Sequence, residues 1–286
     1  MAAIQKITIL ITGFLLLQSF GCEEKYSDDS FLFEQPVTYD QLIEEGWIYF
    51  QAGDYDTSIE SFIIASERDA TQPEVYLGLG WGYARNIELT KSVSNFQKAI
   101  SFAFFDSVNE TRIMAESLAG LSLVSLASGN YIACISYADQ ALSRAAEFSF
   151  SKDASVNSQS LKLSQAESYY FLEDIQACFN IVNELGANID NVTDTTSYGI
   201  VFHTANTFLT GEMEVNIDGA HQLISVTSAQ KEGINYEIIS VDEGTNEFMM
   251  SGNPIVASSD SVSVSYYFTI DYADFLNKLL SVIINF

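Results

Sequence analysis

From residue 39 onward, apolar and small residues recur every three or four positions, the spacing of one helical face. Leu42, Gly46 and Tyr49 mark one such face, and Ile59, Phe62 and Ala65 mark a second. Between them stands Gly53-Asp54-Tyr55. The glycine is suited to end a helix in the left-handed conformation, and the aspartate to cap the next one. This segment predicts two helices folded back on each other. The pattern then repeats without a gap at an offset of 34 residues. Gly46-Trp47-Ile48-Tyr49 falls on Gly80-Trp81-Gly82-Tyr83, Ile59 on Val93, Phe62 on Phe96 and Ala65 on Ala99. Gly46 is costly inside a helix, and close approach of the paired helix, which a Cβ would block, explains its presence.

Further units follow with less regular spacing. Gly129-Asn130-Tyr131 repeats the turn, followed by Cys134, Ile135, Ala138 and Ala141. The first helix of this third unit is predicted around 115–128, later than a strict period allows, with 106–113 as the insertion. A degraded fourth unit spans about 159–185, with Tyr169, Asp174-Ile175, Cys178 and Val182. Cys134 and Cys178 occupy the slot of Ser58, a tight position between helices. Equivalent slots on successive units lie too far apart for a disulfide, so both are expected to be buried free thiols.

Beyond Gly186 the helical period fades. Val262, Val264, Tyr266, Phe268 and Ile270 alternate with polar residues, which predicts a strand with one buried face. Other strands are expected at 212–217, 222–226, 234–241, 247–250 and 255–258, separated by turns such as Asp218-Gly219 and Glu232-Gly233. Residues 191–210 fit neither period. Asp271 can cap a last helix over 272–284, with Phe275, Leu279 and Val282 on one stripe. The expected class is α+β: a solenoid of three to four helical hairpins over 39–190, then a small antiparallel sheet or sandwich with a terminal helix over 191–286.

The repeated residues resemble the tetratricopeptide repeat, whose signature reads here as Gly46, Tyr49, Gly53-Asp54-Tyr55, Ser58, Phe62 and Ala65. The resemblance covers roughly 39–185. It implies stacked hairpins whose first helices line a concave surface and a partner that is a protein or an extended peptide. Trp47 and Trp81, the only tryptophans, sit at equivalent positions beside a core-facing glycine. They either line the groove or fill gaps between repeats. The groove is the preferred reading, with Asp40, Ile43, Phe50, Gln51, Leu77 and Arg85 on the same surface. The carboxylate clamp of the family's well-understood peptide readers is absent, because Ile43, Leu77 and the tryptophans stand at the clamp positions. An apolar or aromatic-tolerant extended segment suits this groove better.

The N-terminus adds a location. Met1–Lys6 carries one positive charge and Ile7–Leu17 is an apolar run of signal-peptide length, too short for a comfortable membrane span. Ser19-Phe20-Gly21-Cys22 resembles a lipobox, with Ser19 where leucine is usual. An ordinary signal peptide and an uncleaved anchor are the alternatives. Lipidation is expected at Cys22, with 1–21 as signal and 22–38 as an acidic tether. This places the chain in the bacterial cell envelope, anchored to the outer membrane through its lipid.

Charge narrows the partners. Against 12 Lys+Arg stand 38 Asp+Glu, a net charge of −26, which repels phosphate backbones and excludes nucleic acid as a partner class. No P-loop, nucleophile elbow, zincin or dinucleotide fingerprint occurs, and the only histidines are His203 and His221. No catalytic residue, metal ligand or cofactor is expected. The sequence points to a non-catalytic interaction scaffold. The alternatives are a surface lipoprotein that binds glycans or nutrients with an outer-membrane transporter, and a purely structural envelope protein.

Overall fold

A computed structural model describes residues 37–202, 212–217, 222–242, 244, 246–258 and 260–285. The export signal, Cys22, the tether through residue 36, His203 and His221 lie outside the described residues. By its contacts the chain divides after Gln41, and Leu42–Phe286 is a unit of its own. This unit holds the hairpins, from Leu42 on, together with the strands and the terminal helix.

The helices run α1 (Tyr39–Ala52), α2 (Tyr55–Arg68), α3 (Pro73–Arg85), α4 (Leu89–Ala103), α5 (Glu110–Ala127), α6 (Tyr131–Arg144), α7 (Ser158–Phe171) and α8 (Ile175–Glu184). They pair as four antiparallel hairpins. Each turn carries a residue in the left-handed region: Gly53 (φ 81°), Ile87 (60°), Gly129 (70°) and Glu173 (63°). These residues are 34, 42 and 44 positions apart. The hairpin frame is therefore constant, and the extra residues lie between hairpins. The cap after the turn is a side-chain oxygen in three of the four: Asp54 accepts from the Thr57 N–H, Asn130 from Ala133 and Asp174 from Ala177. The helix α5 begins at Glu110, five residues before the predicted start, so part of the expected insertion is its first turn.

Packing explains the glycines. The Phe62 ring fills the space between α1 and α3; a Cβ on Gly46 would lie 2.7 Å from it, and one on Gly78 2.4 Å. One repeat on, Phe96 fills the same space between Gly80 and Gly120. In the third hairpin the equivalent residue is Ala138, fully buried, and the glycine slots hold Ser122 and Ser164. A large ring on two glycines is exchanged for a small residue on two serines, which conserves volume. Hydroxyl bonds tie the first three hairpins: Ser58 Oγ–H donates to the Gly46 carbonyl (2.8 Å), Ser92 to Gly80 (2.8 Å) and Ser122 to Cys134 (2.9 Å). Cys134 and Cys178 are free and buried.

The strands are β1 (Val192–Phe202), β2 (Glu212–Ile217), β3 (Gln222–Lys231), β4 (Ile234–Val241), β5 (Glu247–Ser251) and β6 (Ser261–Thr269). They form a closed antiparallel barrel in the order β1-β2-β5-β4-β3-β6, rather than an open sheet or sandwich. Closure depends on β1, from the aperiodic stretch. It pairs with β6 over Val192–Ile200 and with β2 over Gly199–Phe202, so it bends from one neighbour to the other. Two irregularities in β3, between Leu223 and Ser225 and between Val226 and Ser228, sharpen the curvature. Residues 255–258, expected as a strand, are not one. Val262, Val264 and Tyr266 point into the barrel with Met213, Met250 and Phe248, whereas Ile270 is exposed.

Leu223 and Ile224 are both buried because both faces of β3 are covered. Leu223 belongs to the barrel interior, and Ile224 lies under α8 and the terminal helix α9 (Tyr272–Asn285). Asp271 caps α9 by accepting from the Asp274 N–H (3.0 Å). Phe275, Leu279 and Ile283 of α9 pack with Phe179 and Val182 of α8, which joins barrel and hairpins in one core.

Candidate functional site

The helix α3 packs on α5 and α5 on α7, so the first helices of the hairpins form the inner layer. This is the face on which the sequence places a groove. Trp47 and Phe50 come from α1, and Leu77, Trp81 and Arg85 from α3. The structure brings these five residues together.

It leaves Arg85 exposed but does not leave the four apolar residues open. Trp47 is 4% exposed, Trp81 2%, and Phe50 and Leu77 are buried. Their cover is the segment 146–157 between α6 and α7, here called the strap. Phe150 of the strap is 1% exposed and lies flat on Trp81, with ring centroids 4.5 Å apart and planes at 18°. Its ring also meets Trp47 edge-on at 5.9 Å and Phe50 at 6.3 Å. Phe148 and Val156 of the strap are buried in the same cluster. The expectation of an open apolar floor therefore needs amending: the tryptophans lie on the inner face and the chain itself occupies the space above them. Of the other expected residues, Asp40 and Gln51 are exposed and Ile43 is half-buried.

Charged groups frame the aromatic cluster. The Arg85 guanidinium is ion-paired with Asp153 of the strap. Strap Lys152 places its Nζ 5.4 Å from the Trp47 ring centroid, a cation–π contact. The Trp47 indole N–H donates to Glu74 Oε1 (3.0 Å). Arg112 bridges Glu74 and Glu116, donating to Glu116 Oε2 at 2.8 Å. Glu116 is buried, and that burial pushes its carboxyl up to about 7; Arg112 pulls it down and Glu74 pushes it further up. Trp81 Nε1 is buried with no hydrogen-bond partner among the described residues, so this indole is held by ring packing on Phe150 and Phe96.

Beside Trp81, between α3 and α5, remains a cleft of about 110 Å³, well below the roughly 300 Å³ at which small-molecule sites begin. Among the described residues no group of three His, Cys, Asp or Glu is placed to hold a metal ion. Burial pushes the Cys178 thiol up to about 12, with Asp174 adding to it, which makes it a poor nucleophile.

The strap was not recognised in the sequence, although a signal was present. Cys134 and Cys178 are 44 residues apart where the period is 34. The ten extra residues, with Phe148 and Phe150 among them, have no place in a hairpin and must go elsewhere.

No family model matches the chain, and no curated protein matches it. Solved structures similar to part of it include three helical-repeat proteins. One is described as the crystal structure of MamA, with 19% identity and a TM-score of 0.44 over 54% of this chain and 80% of that one. Another is the APC/C hetero-tetramer Cut9-Hcn1, with 12% identity and a TM-score of 0.31 over 55% and 34%. The third is Pseudomonas aeruginosa pilF, with 15% identity and a TM-score of 0.28 over 52% and 77%. What fixes the hairpin-repeat fold is the chain's own geometry: the left-handed turns, the paired glycines and the recurring hydroxyl bonds.

Proposed function

We propose that the chain is a non-catalytic interaction scaffold of the bacterial cell envelope. On this reading residues 1–21 direct export, Cys22 carries the lipid that anchors the protein to the outer membrane, and the inner face of the hairpins holds an extended segment of a partner protein. The observation that carries the reading is the aromatic cluster of Trp47, Phe50 and Trp81 on that face, which already accommodates a peptide segment, the strap. Large rigid aromatics gathered at one place are what extended segments are anchored by. The charge of −26 favours a partner that is neutral or cationic overall.

Two experiments test the reading. Fractionation of cells carrying Cys22→Ser should release the protein from the membrane; retention would remove the lipid anchor. Photo-crosslinking residues placed at Glu44 and Gln51 lie on the Trp47 side of α1, three before and four after it, and both positions are exposed. They should capture a partner in intact cells, while the same group at Glu60 or Glu67 on α2 should not. Equal capture from α2, or capture from the barrel alone, would remove the inner face from the function.

A further inference from the structure

We propose that the strap is a built-in ligand of the inner face, and that the outside partner is an extended segment presenting an aromatic side chain followed three residues later by an acid, in the places of Phe150 and Asp153. The inference rests on the reading that this face is the binding surface.

Three observations carry it. First, the strap is an addition to a complete frame. The turn residues Gly53, Ile87, Gly129 and Glu173 keep one conformation whether 34, 42 or 44 residues separate them. The bonds that close the first three hairpins, from Ser58, Ser92 and Ser122, involve no strap residue.

Second, the strap is folded on itself. The Phe150 N–H donates to the Val156 carbonyl (2.8 Å), Asp153 to Phe150 (3.1 Å), Val156 to Asp153 (3.0 Å) and Ser158 to Phe148 (2.8 Å). Asp153 also accepts from the Ser155 N–H and hydroxyl. It is held to the inner face by side chains: the rings of Phe148 and Phe150, the Asp153–Arg85 ion pair and Lys152 over Trp47. Lifting residues 148–156 breaks the Ser158 N–H bond to Phe148 at the start of α7 and leaves the Asn157 cap of that helix in place.

Third, lifting it uncovers Trp47, Phe50 and Trp81 together, an apolar floor that needs a cover in water. A tethered cover acts at the millimolar effective concentrations of a short linker. An outside segment is therefore bound only as far as the strap is displaced, and its apparent affinity falls by the fraction of chains that are open.

The test uses the full chain and a fluorescently labelled peptide with the sequence of residues 146–157. Anisotropy titration should show binding to Phe150→Ala at least tenfold tighter than to wild type. Replacing the phenylalanine of the peptide that corresponds to Phe150 by alanine should abolish the binding. Asp153→Lys in the protein, which breaks the ion pair that helps to hold the strap and leaves every core side chain unchanged, should raise peptide binding several-fold over wild type. Equal binding to wild type and variants, or no binding to folded variants, overturns the proposal. So does loss of the native circular dichroism in both variants, because the strap would then be part of the frame. A partner captured from Glu44 and Gln51 would still stand in those cases.

Discussion

Phe150 and Trp81 lie in parallel contact, 4.5 Å apart, although 69 residues separate them and the hairpin frame does not need them to meet. Phe96, by contrast, is wedged between two glycines of the frame. The two phenylalanines should respond differently to truncation. Phe96→Ala leaves a cavity that rigid helices cannot close and should cost about 3–5 kcal/mol. Phe150→Ala can cost no more than undocking the strap, and about 1–3 kcal/mol is expected, with a red shift of tryptophan emission. Denaturant unfolding of both variants checks the order.

Gly78→Ala should destabilise by about 1–3 kcal/mol, because its Cβ would lie 2.4 Å from the Phe62 ring. The Ala138 site indicates the remedy, a smaller residue opposite a larger one. Phe62→Leu combined with Gly78→Ala should show a favourable coupling of at least about 0.5 kcal/mol in a double-mutant cycle.

Ile87 is a β-branched residue at φ 60°, at the turn position that Gly53 and Gly129 fill. Left-handed backbone costs such a residue about 1–2 kcal/mol, while glycine loses about 0.5–1 kcal/mol more entropy on folding. Ile87→Gly should therefore stabilise the chain by roughly 0.5–1 kcal/mol, read as a raised denaturation midpoint at unchanged slope.

Glu116 gives stability a pH dependence. Its carboxyl is raised from 4.5 to about 7 by burial, against the pull of Arg112, with Glu74 and Lys152 also facing it. Between these values the folded chain holds a proton that the unfolded chain has lost. The contribution is present below about pH 4.5 and is lost as pH rises to 7. Glu116→Gln should flatten that decline and leave the variant about 1–3 kcal/mol less sensitive to pH. An unchanged pH profile of unfolding would contradict this.

How much of this was legible in the sequence follows from the packing. The first two hairpins were plain because Phe62 and Phe96 demand glycines at fixed offsets. The third and fourth blurred because Ala138 with Ser122 and Ser164 fills the same volume with other residues, and because insertions shift the spacing. Strands such as β6 were plain from Val262, Val264 and Tyr266. Barrel closure was not, because it depends on which neighbours β1 takes, a long-range pairing with no local period. Trp47 and Trp81 lie buried on the first helices of the first two hairpins. Their cover was missed because the strap has no periodic pattern and only its length betrays it.

The separability of the strap from the hairpin frame is tested most directly by native-state hydrogen exchange in the wild-type chain. The Phe150 and Val156 amides, bonded within the strap, should exchange at least tenfold faster than the interior amides of α3 and α5, with little dependence on denaturant. Exchange of these amides at the same rate and with the same denaturant dependence as the helices would mean that strap and frame open only together, and the inner face would then be a sealed core.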